Sequence, residues 1–128
     1  MILDSSAIVG IVLREPGFEG LVRKIAEAEA IGVGAPTLAE AGVVLTSRLG
    51  RDARGLLRGL LREWGAVTVT FGEEHWQEAV AAYVRYGRGR HEARLNFGDC
   101  MTYAVAKLAR EPLLCTGGDF PRTDLDLA

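Results

Sequence analysis

Met1-Ile2-Leu3-Asp4-Ser5-Ser6-Ala7 opens the chain with three apolar residues, an acid and two hydroxyls. The apolar run, without polar alternation, reads as a strand buried on both faces. Ser5 to Leu13 then carries Ala7, Ile8, Val9, Ile11 and Val12, which reads as an apolar helix packed against the sheet. Asp4 falls at the carboxyl end of the strand, the edge where open α/β sheets bind their ligands.

Strands and helices alternate from there. Glu15-Pro16-Gly17 breaks the first helix, and Phe18, Leu21, Val22 and Ile25 give the next one an apolar face at i, i+3, i+4, i+7. Gly32–Ala35 reads as a second strand, and Pro36-Thr37 opens a helix that Gly50 ends. Arg51–Trp64 is amphipathic through Leu57, Leu60, Leu61 and Trp64, with Gly55 and Gly59 four apart, where another backbone can come close. Ala66–Phe71 alternates valine and threonine as a third strand. Glu73–Tyr86 reads as a helix with Trp76, Ala79, Val80 and Tyr83 turned inward. After the basic loop Gly87–Leu95, Gly98–Arg110 is an apolar helix and Pro112–Thr116 a strand. The tail Asp124–Ala128 reads as a last edge strand. This alternation predicts an α/β fold in which a short parallel sheet lies between helical layers.

The 128 residues fit one domain, 1–128, long enough to bury roughly two-thirds of the surface the unfolded chain exposes. A net charge of -2 argues against a general electrostatic nucleic-acid binder, but leaves room for a local basic patch. Cys100 and Cys115 read as buried small hydrophobes rather than a disulfide or zinc pair. Asp4 falls where a targeting segment would be basic and then apolar, and no apolar run nears the roughly 20 residues that cross a bilayer. The expected location is the cytoplasm, with no membrane contact.

Four acids fall at points that a parallel sheet brings to one edge. Asp4 follows the first strand, Glu40 lies about one turn into the helix after the second, Asp99 opens the helix at Gly98, and Asp119 follows the last strand. Each also has a structural role open to it. Asp4 can cap its helix, Thr37 with Glu40 and Asn96 with Asp99 fit capping boxes, and Asp119 suits a turn after Gly117-Gly118. Together, four ionised carboxylates on one rim repel each other unless a cation sits among them. Hard oxygen ligands suit Mg²⁺ or Mn²⁺ rather than zinc. His75 and His91 read as solvated, not as ligands.

Four segments carry a resemblance. They are Met1–Ala7, Glu40-Ala41-Gly42-Val43-Val44-Leu45, Asn96-Phe97-Gly98-Asp99-Cys100-Met101-Thr102-Tyr103-Ala104 and Gly118-Asp119-Phe120. They resemble the PIN-domain family, and within it the VapC-like toxins of bacterial type II toxin–antitoxin modules, over essentially the whole chain. The resemblance implies a three-layer α/β/α sandwich and a Mg²⁺- or Mn²⁺-dependent endoribonuclease. It also implies a homodimer and a cognate antitoxin as protein partner. Carried over residue by residue, Asp4, Glu40, Asp99 and Asp119 match the family's catalytic and metal-binding acids. Ser6 matches a supporting hydroxyl, and Thr116 is a second candidate for that role. Relatives often carry a further polar or acidic residue just before the last Asp, where this chain has Gly117-Gly118.

The implied reaction is hydrolysis of an RNA phosphodiester by a metal-activated water. The basic stretch Arg85, Arg88, Arg90, His91, Arg94 is the one basic cluster close in sequence to a site acid, and it suits either RNA phosphates or a solvated loop at a helix end, where basic residues suit the dipole. An alternative within enzymes, a phosphatase of the haloacid-dehalogenase type, would need a second Asp where Ser6 stands. An alternative outside enzymes is a catalytically weak metal-binding module that acts only as partner of an antitoxin repressor. The Leu-rich face of Arg51–Trp64, with Gly55 and Gly59, suits either a dimer contact or packing in the chain's own core.

Overall fold

A computed structural model describes residues 1–128. Four short strands, β1 (Ile2–Leu3), β2 (Gly32–Gly34), β3 (Val67–Val69) and β4 (Leu113–Leu114), form one parallel sheet in the order β3-β2-β1-β4. Ile2 pairs with Gly32 on one side and Leu113 on the other, and Leu3 pairs with Leu114. Six helices connect and cover the sheet: α1 (Ser5–Val12), α2 (Phe18–Glu27), α3 (Ala35–Leu49), α4 (Arg54–Glu63), α5 (Glu73–Tyr86) and α6 (Phe97–Ala109). No helix is long and apolar enough to cross a membrane.

The period of two along a strand divides the core into two layers. Ile2 and Leu113 face α5 and α6, where Ala82, Tyr103, Ala104 and Val105 close over them. Leu3, Val33 and Leu114 face the other way, onto Ile8 of α1, Ile25 of α2, Leu45 of α3 and Leu57 of α4. Strands of two or three residues contribute few ladder bonds, so apolar burial carries the assembly. Each fully buried Leu or Ile contributes roughly 1.5–3 kcal/mol.

Four elements depart from the sequence reading. β3 is shorter than Ala66–Phe71 because it is the outer strand, bonded only to β2, and Val67 is 62% exposed. The tail does not build a full edge strand. It makes a single bridge, Leu113 to Leu127, through Leu113 N–H to Asp126 O at 2.9 Å and Ala128 N–H to Leu113 O at 2.9 Å. On α5 only Ala79 of the four residues read as inward is buried, whereas Trp76, Val80 and Tyr83 stay largely exposed beside α6. Gly55 and Gly59 have no neighbouring backbone within this chain. Cys100 is buried and Cys115 half-buried, and both thiols are free.

Order reverses between β1 and β4. From β1 the chain adds β2 and β3 outward on one side, then returns to place β4 on the other. The crevice beyond the carboxyl ends of β1 and β4 is therefore the topological switch point.

The junction of β2 and α3 meets α6 closely because Gly34 lacks a side chain: a Cβ there would stand 2.9 Å from Val105 Cγ2. The backbone of Gly34 is extended (φ -62°, ψ 141°), so contact rather than conformation demands glycine. Gly34→Ala is expected to cost about 1–3 kcal/mol by overpacking. A urea-unfolding midpoint equal to wild type would contradict this packing.

Candidate active site

β1 delivers Asp4 to the switch point. The residue is 5% exposed, and its backbone N–H continues the ladder to Leu114 O at 2.9 Å. One carboxylate oxygen, Oδ2, caps α1: it accepts from the Ser6 N–H at 3.0 Å and the Ser6 hydroxyl at 2.6 Å. The capping role open to Asp4 in the sequence is thus real, yet it uses one oxygen and leaves Oδ1 without a hydrogen-bond partner in the protein. Ser6 Oγ in turn accepts the Thr116 N–H at 3.0 Å, so a single hydroxyl ties the ends of β1 and β4 together. Thr116 takes part through its backbone, and its side chain is exposed.

Asp99 enters from the first turn of α6. It forms the capping box expected with Asn96: its N–H donates to Asn96 Oδ1 at 2.9 Å, and its Oδ2 accepts the Asn96 N–H at 3.0 Å. Again one carboxylate oxygen is engaged and the other is not.

Glu40 differs. The Thr37–Glu40 capping box is absent, because α3 starts two residues before Thr37, at Ala35, with Gly34 as its cap. The Thr37 hydroxyl pairs instead with that of Thr102 on α6, at 2.9 Å and fully buried. Glu40 is half-buried in the second turn, and its carboxylate lies against Gly98.

Asp119 follows the turn Gly117-Gly118 and is exposed. Gly117 has φ +86°, a left-handed backbone that favours glycine, so the turn itself accounts for one of the two glycines before Asp119.

Electrostatics couples the four. Burial, then the charges of Asp4, Asp119 and Glu40, push the Asp99 carboxyl up to about 6, against the pull of the Asn96 N–H. Burial and the charge of Asp4 raise Glu40, opposed by the neighbouring Ser5 hydroxyl. No basic side chain answers this charge. The ion pairs are Met1–Glu111, Arg54–Asp52, Arg85–Asp124, Lys107–Asp124 and Arg122–Glu92, none of which reaches the four acids. Nor do any three acid, His or Cys side chains converge into a ready cage. Carboxylates with free oxygens and no protein cation have the chemistry that suits a hard divalent ion.

The basic stretch is less uniform than its sequence. Arg85 is committed to the Tyr86 hydroxyl at 2.9 Å and lies 3.7 Å from Asp124. Arg90 lies over the Tyr83 ring, 5.4 Å from its centroid. Arg88 and Arg94 are exposed and form no ion pair. His75 and His91 are half-buried and accept the backbone N–H groups of Gly72 and Ala93 at 3.1 and 3.0 Å, so neither is simply solvated. Asp124 is bound by Tyr103 and Lys107, each at 2.6 Å. Burial would raise its carboxyl, but those two bonds hold it down at about 2. Two residues of the site went unread in the sequence. Ser5 faces Glu40, and its only trace was its place directly after Asp4. Gly98 carries a trace as well, a glycine inside a helical turn.

The family model described as "PIN domain" matches residues 1–125. The chain is 47% identical over 127 residues to Ribonuclease VapC36 of Mycobacterium tuberculosis, covering 98% of this chain and 91% of that protein. It is 36% identical over 125 residues to Ribonuclease VapC of Mycolicibacterium smegmatis, covering 98% and 97%. Among solved structures it superposes on Mycobacterium tuberculosis VapC20, described as a Sarcin-Ricin loop cleaving toxin. The TM-score is 0.79 at 17% identity, over 99% of this chain and 97% of that one. A toxin–antitoxin complex from Klebsiella pneumoniae gives a TM-score of 0.74 at 16% identity, over 99% and 95%.

The raised Asp99 carboxyl has a consequence for stability. Its folded value, about 6, exceeds the unfolded one, so the folded state takes up a proton between roughly pH 4 and 6 that the unfolded chain does not. Metal-free protein is expected to gain stability as pH falls from 7 to 5, with Glu40 acting in the same sense. Asp99→Asn keeps the oxygen that caps α6. It should raise the melting temperature at pH 7 and flatten the profile from pH 5 to 7. A variant with the wild-type profile would contradict this.

Proposed function

We propose, from the premise that this chain belongs to the PIN-domain family, that it is the toxin of a toxin–antitoxin pair and acts as a metal-dependent endoribonuclease. The observation that carries the reading is the set of four carboxylates at the β1/β4 switch point with no protein cation among them. The ribonuclease names of relatives at 47% and 36% identity support it, as does the fold shared with a toxin–antitoxin complex.

In this reading Asp4 and Asp99 would hold a Mg²⁺ or Mn²⁺ ion, and Glu40 and Asp119 would complete the shell, directly or through water. The ion supplies Lewis acidity and lowers the pKa of a water it binds. Ser6 fixes the Asp4 rotamer and holds the β4 end against it. Asn96 does the same for Asp99, so two acids are oriented before substrate arrives. Arg88 and Arg94, free of carboxylate partners, are the better placed of the basic cluster to pair with RNA phosphates. Arg85 is held by Asp124 and Tyr86 instead.

The second protein chain in the reading, an identical copy or the cognate antitoxin, has an apolar surface to meet. A groove of about 370 Å³ lies between α5 and α6, lined by Phe71, Trp76, Val80, Tyr83, Phe97 and Met101. Phe97 is 81% exposed there and Trp76 51%. The α4 face is a poorer candidate, since Leu57 is already used in the chain's own core and Leu61 and Trp64 pack against it, the second of the two roles its sequence suits. Cytoplasmic location belongs to the same reading.

The test is cleavage of end-labelled RNA by purified protein. Cleavage is expected with Mg²⁺ or Mn²⁺, with loss on adding EDTA and a drop of at least about 100-fold in Asp4→Ala, the scale of a removed metal ligand or its support. Equal cleavage by Asp4→Ala would sink the assignment. Antitoxin binding with no cleavage by wild type would favour the binding-only module.

A further inference from the structure

Three rungs join the end of β2 and the start of α3 to α6, and their positions run antiparallel: 34, 37 and 40 against 105, 102 and 98. At the first, the bare Cα of Gly34 takes the Val105 side chain. At the second, the hydroxyls of Thr37 and Thr102 pair at 2.9 Å, both fully buried. At the third, the Glu40 carboxylate takes the place where a side chain on Gly98 would be. A Cβ on Gly98 would stand 2.5 Å from Glu40 Oε2, 3.1 Å from Cδ and 3.3 Å from Oε1. The first two rungs are closed by packing and by a buried hydrogen bond, so the helices cannot part to make room at the third.

Glycine at 98 has no conformational reason. It lies in the first turn of α6 and is not among the residues of positive φ. Alanine is the better helix former at such a place. The recess it leaves is filled by a carboxylate at the start of a helix, where negative charge is favoured. Asp99, the next residue, belongs to the same rim.

We propose that Gly98 is a positioning residue for Glu40: its missing side chain is the recess that holds the Glu40 carboxylate against the first turn of α6, beside Asp99. A side chain at 98 leaves the fold intact, because the colliding atoms are the end of a flexible acid, but it turns that acid out of the site. The consequence for metal and RNA rests on the function proposed above, whereas the contact between Gly98 and Glu40 does not.

The experiment compares wild type, Gly98→Ala, Glu40→Asp and the double variant. Gly98→Ala is expected to melt at or slightly above wild type and to bind Mn²⁺, followed by electron paramagnetic resonance, about 10-fold more weakly, the lower end of what a misplaced site acid costs. RNA cleavage should fall in parallel. Aspartate is one methylene shorter and clears the new methyl, so Glu40→Asp added to Gly98→Ala should recover part of the loss. A purely structural glycine would give no such rescue. Unchanged Mn²⁺ affinity in Gly98→Ala, or a double variant as weak as the product of the singles, would overturn the proposal. If wild type neither binds Mn²⁺ nor cleaves RNA, the functional reading fails. The carbon-13 resonance of the Glu40 carboxyl in metal-free protein then decides the inference: it moves in Gly98→Ala if the recess holds the acid, and staying fixed refutes it.

Discussion

Repulsion among carboxylates gathered at one sheet edge is the constraint the rest of the structure answers. Left alone, Asp4, Glu40, Asp99 and Asp119 would separate or take up protons. Burial first, and then the charges of the other three, push the Asp99 carboxyl up to about 6, in the direction of protonation. Separation is resisted by the fold. Asp4 is rooted in the central strand, Asp99 in a capped helix start, and Glu40 in a helix seamed to the one bearing Asp99. No arginine or lysine relieves the charge, although fifteen basic residues are available in the chain.

The devices that hold the rim are small polar groups used twice. Ser6 donates to the Asp4 carboxylate that caps α1 and also receives the Thr116 N–H, which closes β1 against β4. Asn96 caps α6 and orients Asp99 in the same exchange. Thr37 and Thr102 satisfy each other inside the core and fix the spacing of α3 and α6. An unpartnered buried hydroxyl would cost roughly 1–3 kcal/mol, so such pairs resist slippage more than apolar contacts of equal area do. The apolar layers on either side of Leu3 and Ile2 supply the stability of the sheet that carries this edge.

Much of this was legible in the sequence. The all-apolar Met1–Leu3 run and the alternation of strand and helix marked a covered parallel sheet, and the sheet's parallel sense brought the four acids to one edge. Local rules failed where tertiary contacts override them. Thr37-x-x-Glu40 has the letters of a capping box, but the helix begins earlier and Thr37 finds Thr102, 65 residues away. Trp76, Val80 and Tyr83 have inward spacing on α5, but α6 covers only part of that face and leaves a groove. Arg85 reads like its neighbours, yet Asp124 captures it from the tail. Such pairings depend on residues far apart in the chain, which periodicity and spacing do not reveal.

The central claim is that one edge of the sheet is a cation site built by Asp4 and Asp99 with Glu40 and Asp119 around them. Anomalous diffraction at the manganese edge from crystals soaked in Mn²⁺ tests it most directly. The account predicts a peak bonded to the free oxygens of Asp4 and Asp99, with Glu40 and Asp119 facing it. No peak at the β1/β4 crevice at millimolar Mn²⁺, or a peak held by other residues alone, would contradict it.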